Sequence, residues 1–180
     1  MNRHPGGAEH TMRMLALAGL APPCRILDLG AGDGETVRLL RALGFDAAGI
    51  DLVPGPDVKE GNFLCAPCPG GSFDALLSQC AFSVSGDPEK AFRESRRLLR
   101  PGGCLAVSDV SFAGGEDLRR AAEGASLRVL RTEDLTPEWR EYYLECVWNG
   151  TACAPPGGCG RGACTYWLMI CRREDEDGSV

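Results

Sequence analysis

Apolar and polar positions along this chain follow two rhythms, and the switches between them mark its elements. Arg25-Ile-Leu-Asp-Leu29 reads as a short buried strand, and Gly30-Ala-Gly-Asp-Gly34 breaks it. Glu35 to Ala42 then has helical spacing, with Gly44 past its end. Further apolar runs predict strands at Ala47–Ile50, closed by Asp51, and at Cys104–Ser108, Leu127–Leu130 and Tyr166–Arg172. Helical patterns fall between them. Thr11 to Ala18 is one, ended by Gly19, and Asp87-Pro88 caps another that runs to about Leu99. Glu116–Ala125 and Pro137–Val147 complete the set.

The glycine turn carries the candidate chemistry. Gly30, Gly32 and Gly34 let the backbone come close to a ligand between a strand and a helix, the cradle of a doubly wound sheet. A dinucleotide fingerprint would place its third glycine one position later, where this chain has Glu35. Asp28, Asp33 and Glu35 ring the turn with negative charge that repels a phosphate. A ligand with an adenosine, an amino group and a sulfonium suits it better, which describes S-adenosylmethionine (SAM). Asp51, about 20 residues downstream, is placed to hold both ribose hydroxyls.

With these residues in view, the chain resembles the class I SAM-dependent methyltransferases, in particular the small-molecule type that includes the ubiquinone/menaquinone and arsenite enzymes. Asp28-Leu-Gly-Ala-Gly-Asp-Gly34 resembles the family's glycine motif, and Asp51 its ribose-binding acid. Gly61-Asn62-Phe63 is similar to its adenine turn, with Asn62 in place of the commoner acid. Ser72–Ser78 and Leu98–Gly103 resemble the fourth strand and the turn before the fifth. The resemblance implies an α/β, Rossmann-like sheet of about seven strands, mostly parallel, with an antiparallel last strand and helices on both faces. It implies SAM contacts from Asp28, Gly30, Ala31, Gly32, Asp51, Leu52, Asn62, Phe63 and Gln79, with S-adenosylhomocysteine as product.

Composition narrows the picture. No apolar run approaches the roughly 20 residues that cross a bilayer, and no signal peptide opens the chain, so a cytoplasmic location is expected. The net charge of −6 argues against a nucleic-acid surface. Arg93, Arg96, Arg97 and Arg100 are expected to form a solvated helix face. The ten cysteines are expected to stay reduced, with Cys24, Cys104 and Cys171 as small buried hydrophobes. Cys65-x-x-Cys68 lacks a second pair, and Cys146, Cys153, Cys159 and Cys164 fit no zinc pattern, so no metal site is expected.

Residues 1–180 are expected to form a single domain, with 1–20 as an N-terminal lid and helix and 174–180 as an acidic tail. The lid would carry His4 and His10, the only two histidines, on the segment Arg3 to His10, which holds a flexible Pro5-Gly-Gly7. Substrate-facing residues should follow the fourth and fifth strands: Ser78, Gln79, Cys80, Ala81, Asp109, Val110 and Ser111. Among them Gln79 and Cys80, together with His10, are the catalytic candidates. The function expected is methyl transfer from SAM to a small molecule by positioning. The alternatives are a SAM-binding accessory or sensor protein without turnover, and a metalloid methyltransferase using Cys80. A homodimer and a partner protein both stay open.

Overall fold

A computed structural model describes residues 4–150 and 164–174. Arg3, Cys153, Cys159 and the acidic tail after Glu174 lie outside the described residues.

Helix α1 (Gly7–Leu17) leads into strand β1 (Arg25–Leu29), helix α2 (Glu35–Ala42) and strand β2 (Asp46–Asp51). Strands β3 (Lys59–Glu60) and β4 (Phe73–Gln79) follow, then helix α3 (Pro88–Leu98) and strand β5 (Leu99–Ser111). The chain continues through α4 (Glu116–Gly124), β6 (Leu127–Asp134), α5 (Thr136–Trp148) and β7 (Thr165–Arg173). The strands form a seven-stranded sheet in the order β3-β2-β1-β4-β5-β7-β6. β7 runs antiparallel between β5 and β6, and the other pairings are parallel. The expected fold class is therefore the observed one.

The alternation of side chains along each strand feeds two cores, one per face. On one face Leu76, Leu105 and Met169 pack with Phe92 of α3 and Leu118 and Ala122 of α4. On the other, Ile26, Leu77, Ala106 and Leu168 pack with Met14 and Leu15 of α1 and Val37 and Leu40 of α2. Two helix starts follow from local chemistry. Asp87 accepts a hydrogen bond from the Lys90 amide at 2.8 Å, and Pro88 opens α3 where no amide is needed. Gly34, at φ 80°, caps α2 directly after the glycine turn.

Three boundaries differ from expectation. α1 begins at Gly7 rather than Thr11, because Gly6 takes a left-handed conformation and its carbonyl receives the His10 amide. The Pro-Gly-Gly segment is thus the start of a helix. β5 includes Arg100–Gly103, which read as a turn: these residues bulge between the Phe73↔Leu99 and Ala75↔Cys104 pairings. β6 extends to Asp134 because β7 offers it partners as far as Trp167.

Cys24, Cys104 and Cys171 are buried free thiols, as expected. Burial pushes the Cys104 thiol up to about 11. Cys65 and Cys68 are free too, while Cys164 is disulfide-bonded, contrary to an all-reduced set. The arginines of α3 are more than a solvated face. Arg97 donates to the carbonyls of Cys68 and Ala66 and pairs with Glu94 at 2.6 Å, so it fastens the loop before β4 to α3. Among the described residues, no helix is long and apolar enough to cross a membrane.

Candidate functional site

The carboxyl ends of β1 and β4 and the amino end of α2 enclose a cavity of about 170 Å³. Asp28, Gly30, Ala31, Gly32, Asp33, Glu35, Thr36, Gln79, Cys80 and His4 line it. A volume below the roughly 300–1,000 Å³ of ordinary ligand pockets fits one end of a cofactor, not all of it.

The glycines of the turn have separate duties. A Cβ on Gly30 would collide with Cβ of Ala81, and its φ of 78° is left-handed, so this glycine allows β1 and β4 to close together. A Cβ on Gly32 would meet nothing within 4 Å. That open space beside the cavity is room for a ligand. Asp51, at the end of β2, holds the turn in place: its carboxylate accepts from the Gly32 amide at 2.8 Å and the Val53 amide at 2.9 Å. A carboxylate has about four acceptor positions, so two remain for hydroxyl donors.

The lining is acidic, and one acid is deeply buried. Asp28 is 3% exposed, and burial pushes its carboxyl up to about 7, with the Asp51 charge adding to the rise. A cation entering the cavity would relieve that penalty, whereas a phosphate would compound it. The donor set therefore fits a ligand carrying ammonium or sulfonium charge.

Gln79 joins three elements at the cavity wall. Its Oε1 accepts from Thr36 Oγ1 of α2 at 3.2 Å and from Thr11 Oγ1 of α1 at 3.4 Å. Its Nε2 lies 3.3 Å from His4 Nδ1. Cys80, next along, sits at a φ of 57° that non-glycine residues rarely adopt, and its Sγ is 3.1 Å from the Tyr166 hydroxyl. Burial, as the largest cause, holds the His4 imidazole below its usual range.

Other residues singled out from the sequence lie elsewhere. Leu52, Asn62 and Phe63 sit beyond β2 and β3, outside the cavity lining. Asn62 Oδ1 accepts from the Leu64 amide at 2.8 Å and caps a short helical turn, while Phe63 stacks on Phe82 with ring centroids 5.8 Å apart. His10 lines a second cavity of about 690 Å³ between α1 and the start of α5. Ser78, Ala81, Asp109, Val110 and Ser111, expected to face substrate, are all buried. Asp109 is a clamp: it accepts from the amides of Phe82 at 2.7 Å, Ser83 at 3.2 Å and Val110 at 2.7 Å. Ser111 bonds to Asp117 at the start of α4. Sequence reasoning missed Thr36, Ser108 and Tyr166. Thr36 stood next to the glycine turn, but the other two gave no local signal.

Residues 27–107 match a family described as a methyltransferase domain. The demethylmenaquinone methyltransferase of Thermus thermophilus is 37% identical over 112 residues, covering 53% of this chain and 51% of that protein. The ubiquinone/menaquinone biosynthesis C-methyltransferase of Methylobacterium nodulans is 30% identical over 153 residues, covering 69% of this chain and 59% of that protein. The matched part thus spans between half and three-fifths of the length of these relatives. Geranyl diphosphate C-methyltransferase from Streptomyces coelicolor, solved with Mg²⁺, geranyl diphosphate and S-adenosylhomocysteine, superposes with a TM-score of 0.72. At 19% identity, over 92% of this chain and 78% of that one, it speaks for the fold alone. Over residues 27–107 the chain thus matches a methyltransferase domain, of the SAM-dependent type.

Proposed function

We propose that this protein transfers a methyl group from SAM to a small-molecule acceptor, and that it does so mainly by positioning. The observation that carries this reading is the acidic cavity at the glycine turn, with Asp28, Asp33 and Glu35 in its lining and open space at Gly32. Asp28, Asp33 and Glu35 would take the amino-acid end, and Asp51 the ribose. Leu52, Asn62 and Phe63 would border the adenine. SAM supplies a methyl group already activated on a sulfonium, so the protein's task is to hold the acceptor in line and keep water out. Gln79 and Cys80 form the wall where the acceptor would be oriented. His4 and α1 cover that wall from the N-terminal side.

A second reading, SAM binding without turnover, is favoured by one observation: the polar atoms of Gln79 at the cavity wall are already engaged by Thr11, Thr36 and His4. Calorimetry with SAM, S-adenosylhomocysteine, NAD and ATP tests the cofactor. The first two should bind and the others should not. Transfer of labelled methyl to a panel of quinols, amines, thiols and arsenite separates the enzyme from the sensor. Comparable NAD affinity would overturn the cofactor assignment.

A further inference from the structure

The wall between the two cavities is a continuous line of polar atoms. Cys80 lines the smaller cavity, and its Sγ is 3.1 Å from the Tyr166 hydroxyl. That hydroxyl is 3.0 Å from Ser108 Oγ, which is 3.0 Å from His10 Nε2. His10 and Tyr166 in turn line the larger cavity, beside Glu9 and Glu138. Tyr166 and Ser108 are fully buried, and His10 is 7% exposed. Four groups from α1, β5, β7 and the end of β4 meet beside the apolar cluster on this face.

Such a line costs free energy unless every member is satisfied. It is satisfied in two ways. Cys80, Tyr166 and Ser108 can each donate toward His10, whose Nε2 then accepts. Alternatively His10 Nε2–H, Ser108 and Tyr166 can each donate toward Cys80 Sγ. The two neutral arrangements differ by the shift of each hydrogen by one bond, together with one hydrogen gained at Cys80 Sγ and one lost from His10 Nδ1.

We propose that this line is a proton exit from the methyl-transfer cavity to the second cavity. The proposal rests on the methyltransferase reading above. An acceptor X–H that loses its proton on methylation gives it to Cys80 Sγ, as the thiol hydrogen passes to Tyr166 oxygen. The Tyr166 hydrogen passes to Ser108, and the Ser108 hydrogen to His10 Nε2. His10 then releases its Nδ1 hydrogen to water or a carboxylate of the second cavity. One proton enters at sulfur, one leaves at Nδ1, and no heavy-atom bond in the line changes. Cys80 would touch the acceptor. Tyr166, Ser108 and His10 are positioning residues that act through it.

The groups around His10 favour release over storage. Burial first, then the charges of His4 and Arg13, lower its imidazole to about 4 against a smaller opposite pull from Glu133. It is neutral at pH 7 and holds an added proton only in passing. Burial also raises the Tyr166 hydroxyl well above its usual range, so it relays as a neutral group.

The test needs no acceptor. The chain has two histidines, so ¹⁵N spectra of the imidazoles can be assigned with a His4→Gln variant. Tyr166→Phe and Cys80→Ala should each change the ratio of the two neutral His10 tautomers by about fivefold, the ratio one ordinary hydrogen bond is worth. Cys80 does not touch His10, so a merely structural thiol would leave that ratio unmoved. Iodoacetamide capture of Cys80 at pH 7, followed by peptide mass, is the second readout. It should slow at least about threefold in Ser108→Ala, whose lost hydroxyl bonds the line and not the sulfur. A folded Cys80→Ala with the wild-type tautomer ratio, together with an unchanged capture rate in Ser108→Ala, would overturn the proposal. Failure of SAM to bind would instead count against the methyltransferase reading and leave these two measurements standing.

Discussion

Ligand affinity should depend on pH through Asp28. The carboxyl is 3% exposed and raised to about 7, by burial first and by Asp51 second. An unfolded aspartate titrates near 3.9. Between about pH 4 and 7 the folded chain therefore binds more protons than the unfolded one, and stability attributable to Asp28 falls as pH rises through that window. A bound cation reverses the balance, because it favours the ionised form. With a value of about 7, roughly one-tenth of Asp28 is ionised at pH 6 and nine-tenths at pH 8. If SAM binds the ionised form, its Kd should fall about tenfold from pH 6 to 8, or about 1.4 kcal/mol. Calorimetry in two buffers of different ionisation heat should find close to one proton released per SAM at pH 6. His10, lowered to about 4, stays neutral across this range. Asp28→Asn should remove the protein's share of the slope, leaving only titration of the ligand's own amino group. Identical pH profiles for wild type and Asp28→Asn would refute the reasoning.

Three further outcomes follow from the same geometry. Asp51→Ala should weaken SAM binding at least about tenfold, since the two charge-assisted bonds proposed to ribose would be lost and the Gly32 amide loses its partner; calorimetry on the folded variant checks it. Gly30→Ala should destabilise the fold by at least about 1–2 kcal/mol from its left-handed φ alone, with the Ala81 collision adding to it, and urea unfolding reads the loss. Asp109→Ala should cost about 3 kcal/mol or more, because it leaves the amides of Phe82, Ser83 and Val110 without their acceptor, and a normal urea midpoint would show that the clamp is dispensable.

The parts of the fold visible in the sequence were those with local causes. β1, the glycine turn and α2 are contiguous, and a strand period, three glycines and a helix period announce them in order. The start of α1 was obscured because Gly6 and Gly7 have poor helix propensity, and packing of His10 and Met14 outweighs it. Asp109 was misjudged from its position at a strand end. Backbone amides of the neighbouring loop had already taken its lone pairs, a fact of tertiary structure alone. The Tyr166–Ser108 and His10–Ser108 contacts join positions 58 and 98 residues apart, so no spacing rule reaches them.

Gln79 ties the cavity wall to both α1 and α2. Its oxygen is shared by Thr11 and Thr36, and its amide nitrogen faces His4 and Thr11. An incoming molecule that recruits this amide must take a bond away from α1 or from α2. Departure of that molecule returns the bond. If an occupant recruits Gln79, it competes with α1 and His4 for one side chain, so a tighter grip on Gln79 would loosen the N-terminal helix and shorten the occupant's stay.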